Sequence, residues 1–205
     1  NVTLANSTNQ FSGSVAASGN VVSITGTGGL NLGTVTANDL NVNTSTGNIS
    51  QSGRVRVKNV NTTYLTAING NILLNDPTND FTGGIYATST NDIEIYNSNA
   101  TILGNISSAN FRIISAGGGI TQVSGTNIAV TGLSNLTATG NPIIVNRSTN
   151  QFSGPVTASG SDLTISNANS LTLNNTSITN TVNVTSSGNI NITGNFSASQ
   201  LMISN

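Results

Sequence analysis

The 205-residue chain has no cysteine and no histidine. Without cysteine there is neither a disulfide framework nor thiol chemistry. Without either residue, a Ser–His or Cys–His nucleophile cannot be assembled from this chain. Charge is scarce too: five Lys and Arg against six Asp and Glu leave a formal charge of −1. Nucleic-acid surfaces neutralise phosphates with clustered cations, so this balance argues against that class of partner. No run of about 18 apolar residues exists, so no helical membrane span is expected. Aromatic residues make up 4% of the chain and there are three prolines.

What remains is a mixture of aliphatic residues with Asn, Thr, Ser and 22 glycines, 35% hydrophobic in all. A disordered polar chain combines few aliphatics with high net charge, and this chain has neither property. Its organising feature is a hexapeptide that recurs: Thr8-Asn9-Gln10-Phe11-Ser12-Gly13, Thr78-Asn79-Asp80-Phe81-Thr82-Gly83 and Thr149-Asn150-Gln151-Phe152-Ser153-Gly154. The interval from Phe11 to Phe81 matches that from Phe81 to Phe152 to within a single position. A fixed period marks a repeat architecture. The frame is a partial repeat at 1–7, repeats at 8–77 and 78–148, and a partial third at 149–205, all one domain. Since Val2-Thr3-Leu4 matches a repeat's tail, the chain reads as an excerpt of something longer.

Within repeat one the pattern restarts at Val15, Val35, Val57 and Ile85, and the last of these three passes is the longest. Each pass holds short apolar–polar–apolar segments such as Val22-Ser23-Ile24 and Leu40-Asn41-Val42. This alternation is the period of a half-buried strand, and Gly, Asn, Asp and Ser fill the gaps as corner residues. No window carries a capped helical period, so helix is not expected. A β-solenoid fits better than a hairpin-built sandwich, because similar residues recur once per pass and the inward positions are almost all Val, Ile or Leu. About nine coils at ~4.8 Å give a rod roughly 40 Å long. Asn at the corners is expected to form hydrogen-bonded ladders. Phe11, Phe81 and Phe152 are expected to pack in the core beneath a lengthened loop.

The successions Gly-Asn-Ile-Ser-Gln-Ser-Gly (47–53), Leu-Thr-Ala (65–67), Asn-Gly-Asn-Ile-Leu-Leu (69–74) and Asn-Asp-Phe-Thr-Gly (79–83) resemble filamentous-haemagglutinin-type exoproteins. So do Leu-Asn-Leu-Gly (30–33) and Ile-Leu-Gly (102–104). The resemblance covers essentially the whole chain and implies a right-handed parallel β-helix from a large bacterial surface or secreted protein. It further implies export by two-partner secretion and a role as adhesin, biofilm-matrix protein or toxin stalk.

Catalytic chemistry has little to stand on, and no cofactor or metal set is expected. Asp92 and Glu94 flank Ile93 and share an outward face, while Asp76 and Asp80 fall in the long loop. Paired carboxylates serve glycoside hydrolysis, but solvated surface acids are the plainer reading. Arg54, Arg56 and Lys58 alternate with Val55 and Val57, which puts three of five cations on one outward strand face suited to a polyanion or glycan. Tyr64, Tyr86 and Tyr96 are the aromatics able to stack on sugars. Asn-X-Ser/Thr sequons at Asn61, Asn105, Asn135 and Asn195 are frequent because the composition makes them so.

The expectation is a non-enzymatic shaft of an extracellular bacterial adhesin or matrix fibre, whose partners are neighbouring repeats or its own copies. A surface polysaccharide or host glycan is a further partner. The rivals are a self-assembling filament subunit stacked end to end, a carbohydrate-binding rod acting through Arg54, Arg56 and Lys58, and a solenoid polysaccharide hydrolase.

Overall fold

Alternation of inward aliphatic and outward polar side chains persists through nearly every strand of the computed structural model, which describes residues 1–58 and 62–205. The Asn61 sequon therefore lies outside the described residues. Every strand pairing is parallel, and together the strands form one continuous wound sheet. Parallel strands need a connection that carries the chain round before it pairs again. Here each circuit supplies that connection, and the next turn becomes the pairing partner. The result is a parallel β-solenoid with no helix among the described residues.

The registers give the turn count. One ladder climbs Val2–Val22–Leu40–Thr63–Ile85–Leu103–Gln122. From Ile120, in the strand of Gln122, it continues Ile143–Leu163–Val182–Leu201, which makes about eleven turns. The sequence reading of about nine is thus too low. Register steps vary from the short one between Val15 and Leu32 to the long one between Val57 and Phe81, and on average they are shorter than three passes per repeat would require. In particular, the long pass from Val57 to Ile85 does not exist, since Val57 pairs with Phe81 and Ile85 with Thr63.

The long repeat is consequently out of phase with the turn. Ile85 and Val156 occupy equivalent places in successive repeats. A ladder Ile93–Phe111–Ser134–Val156 shows that the last three full turns of that interval begin at Ile93, not Ile85. The stretch 85–93 carries the chain on to the next face. Phe81 accordingly continues the ladder Ala37–Val57. Phe152 follows Val130, on the face whose outward ladder runs Thr66–Thr88–Ser107–Ala129–Gln151. Equivalent surface positions therefore revolve around the rod from repeat to repeat.

The interior is a column of Val, Ile and Leu layers, with Phe81, Phe111 and Phe152 its largest fully buried side chains. Burying such side chains contributes about 1.5–3 kcal/mol each, and the narrow interior leaves no room for a second layer. Phe11 is half-buried and packs at the margin of this core. Corners are tight enough to dictate residue type. A Cβ on Gly70 would stand 1.9 Å from the Gly47 carbonyl oxygen, and one on Gly154 would stand 2.2 Å from that of Gly132. Only glycine fits where two turns approach this closely.

Candidate functional site

Two kinds of polar site stand out against the aliphatic column: buried amide nodes that recur with the repeat, and charged outward faces that do not.

Each node begins where alternation places a polar residue inward. In Ile49-Ser50-Gln51 the core-facing positions are Ile49 and Gln51, and Gln51 is half-buried. Its amide faces that of Asn79 one turn on, donating Nε2–H to Oδ1 at 2.9 Å and accepting from Nδ2–H at 2.8 Å. Asn79 is wholly buried and also accepts the Val55 N–H at 2.9 Å and donates to the Leu74 carbonyl at 3.0 Å. All four of its hydrogen-bonding positions are filled, which burial demands. Two residues on, Phe81 donates its N–H to Asn97 Oδ1 at 2.9 Å and accepts from Asn97 Nδ2 at 3.0 Å. The Asn97 side chain thus stands where the next strand's backbone would pair, and it ends the Phe81 ladder without leaving orphaned groups. Gln122, Asn150, Phe152 and Asn167 repeat the arrangement bond for bond. The node therefore tucks in the long loop and switches the chain between faces.

Sequence reasoning located the hexapeptide but not this network. The signal was present: Gln51 and Gln122 occupy inward positions of a strand pattern at the same point of successive repeats, as do Asn79 and Asn150.

Corner asparagines do form ladders between turns. The Asn71 N–H donates to Asn48 Oδ1 at 2.8 Å, the Asp92 N–H to Asn71 Oδ1 at 3.0 Å, and the Leu133 N–H to Asn110 Oδ1 at 2.8 Å. The Asn110 amide donates to Asp92 at 2.8 Å, so a single file of side chains stitches the corner.

Arg54, Arg56 and Lys58 project outward while Val55 and Val57 are buried. Arg54 and Arg56 converge on Asp80 Oδ2, at 3.3 and 3.0 Å, and Lys58 is exposed at the strand's end. Asp80 is not a solvated loop acid, contrary to the sequence reading. It sits in a two-residue strand, 7% exposed, and takes a further hydrogen bond from Asn99. Parallel pairing of Arg56 with Asp80 brings the acid beneath both cations. Asp76 does stay in the loop, where hydrogen bonds from the Thr78 hydroxyl and N–H hold its carboxyl below the usual carboxylate range. Asp162 is lowered in the same way by neighbouring donors, Ser161 and Asn180 foremost.

Asp92 and Glu94 lie on a different face from this cluster. Glu94 pairs with Arg112 one turn on, and Asp92 with Asn110. Tyr64 and Tyr86 stack in adjacent turns with ring centroids 4.9 Å apart. A Cβ on Gly104 would stand 2.6 Å from the Tyr86 ring, so the ring lies over that glycine. Tyr96 is half-buried on the outward side of the strand that carries Glu94. No helix among the described residues is long and apolar enough to cross a membrane.

A family model described as repeats of unknown function (DUF5649) matches residues 18–88, 90–159 and 160–201. Its two full copies have about the length of the sequence repeat, and the three together span most of the chain. No curated protein and no solved structure matches.

Proposed function

The chain belongs to the DUF5649 family of repeats, and from that premise we propose that it is a non-enzymatic structural shaft within an extracellular bacterial adhesin or matrix fibre. The observation that carries this reading is the unbroken parallel stack, with an aliphatic layer in every turn and amide nodes closing the points where the chain changes face. Each turn contacts its neighbours only, so stiffness comes from a one-dimensional series of similar interfaces. The mechanism is geometric: a rod of this kind holds binding surfaces away from a cell. The resemblance to filamentous-haemagglutinin-type exoproteins supports the extracellular placement and, more finely, two-partner secretion.

Antibody labelling of intact cells of the producing organism tests the placement. The expected result is label on unbroken cells or in the surrounding matrix, with loss of attachment or aggregation when the chain is deleted. Label that appears only after lysis would overturn the reading.

A carbohydrate-binding rod is the second reading, favoured by the exposed Lys58 beside Arg54 and Arg56. Asp80 offsets part of that charge, which leaves the strand moderately cationic rather than strongly so.

A further inference from the structure

Surface chemistry is distributed far less evenly than the core. Eight of the eleven charged side chains, and all three tyrosines, fall between Arg54 and Arg112, although aliphatic layers run the whole length. Folding alone gives no reason for this concentration. An exposed ion pair contributes only about 0–1 kcal/mol, and outward strand positions elsewhere are mostly Thr, Ser and Asn.

We propose that the outward face of 92–96 and 110–114 is a binding platform for a neutral polysaccharide. In these two strands Ile93, Ile95, Phe111 and Ile113 point inward. The outward residues pair across turns as Asp92 with Asn110, Glu94 with Arg112, and Tyr96 with Ile114. Neighbours within a strand face are about 6.6 Å apart and neighbours between turns about 4.8 Å. The result is a rigid array of polar pairs beside an aromatic–aliphatic pair. Leu73, on the turn before, and Leu133 and Asn135, on the turn after, complete a groove of about 230 Å³ at the charged end. Leu133 is 45% exposed and offers apolar surface at the groove's edge.

Sugar rings present hydroxyls at their edges and apolar C–H patches on their faces. They are held by fixed polar groups beside aromatic or aliphatic surface. Arg112 uses one guanidinium nitrogen on Glu94 and Asp92 one carboxylate oxygen on Asn110. Guanidinium and carboxylate groups have further donors and lone pairs to offer. Charge selects the neutral class. Asp92, Glu94 and Arg112 together carry a net negative charge, so an anionic polymer meets net repulsion. Any ionic ligand would have to compete with the Glu94–Arg112 pair, whereas a polyol can add hydrogen bonds around it. This platform is distinct from the Arg54–Arg56–Lys58 strand, and the shaft reading stands whether or not it binds sugar.

The test is calorimetry with soluble neutral oligosaccharides of glucose, xylose, mannose or galactose units, alongside an array of acidic and neutral glycans. Tyr96→Ala, the double variant Glu94→Gln/Arg112→Gln, and the control Arg54→Gln/Arg56→Gln are compared with wild type, each verified as folded by circular dichroism. At least one neutral series should bind wild type, weaken about tenfold or more in the first two variants, and hold its affinity in the control. Absence of neutral-glycan binding by folded wild type would overturn the proposal. So would affinity that survives both platform variants, or retention of acidic glycans alone.

Discussion

Asn79→Leu lowers the stability of the chain by more than about 3 kcal/mol, the upper cost of orphaning a single buried polar group. The effect is read from the shift of the urea unfolding midpoint. Leucine has nearly the shape of asparagine, so the cost is polar rather than steric. Removing the amide orphans the Val55 N–H and the Leu74 carbonyl, and takes one partner from each end of the Gln51 amide, which keeps the Gly53 carbonyl and the Asp76 N–H. Each buried group left without a partner costs about 1–3 kcal/mol, and Gln51 recovers some of its share by turning toward solvent. Asn150→Leu should behave alike, because Gln122 and Ile128 are held in the same manner. Asn38→Ala provides the contrast. Its amide meets Asn20 at an exposed corner, and surface changes of that kind stay within about 0.5 kcal/mol. Equal effects at Asn38 and Asn79 would mean that the nodes do not hold the loops.

Phe81→Ala and Phe152→Ala each destabilise by about 3–5 kcal/mol, the range for emptying a phenylalanine site in a packed core. Both rings are fully enclosed, at 0% and 1% exposure. The narrow column also limits how far neighbouring turns can move to fill the space. Phe11→Ala, at the half-buried first copy, should cost about half as much or less, since part of its surface already meets water. Thermal or denaturant melts of the three variants give the comparison directly. A Phe11 change as damaging as the other two would show that the hexapeptide, not burial, sets the energy.

The core was legible from the sequence because one rule governs it. Inward positions alternate with outward ones, and Val22, Ile24, Leu40 and Val42 could be assigned from neighbours alone. The corner ladders were legible for a related reason, since Asn48, Asn71 and Asn110 fall at or beside the gaps between strands. The number of turns was not. Counting passes by their first aliphatic residue treats every corner as equal, whereas backbone pairing skips the loop 75–79 in one turn and closes it with Asn97 in the next. Asp80 was misplaced for the same reason: it neighbours Asn79 in a stretch that reads as loop, and only pairing with Arg56 reveals a strand. The Gln51–Asn79 amide pair joins positions 28 apart, a separation that local pattern cannot anticipate. It could still have been inferred from a polar side chain sitting at an inward position in two successive repeats. The outward platform around Glu94 and Arg112 was half visible, with Asp92 and Glu94 on one face. Pairing that face with Arg112 required the register between turns.

A rod built by stacking turns makes its most direct statement along its axis. Cryo-electron microscopy of the purified chain, with diffraction from aligned material, measures particle shape and the direction of the strand spacing together. About eleven turns at ~4.8 Å predict a particle roughly 50 Å long, with the interstrand reflection parallel to its long axis. An isotropic particle, or an interstrand spacing perpendicular to the long axis, would contradict the stacked solenoid and the shaft proposed from it.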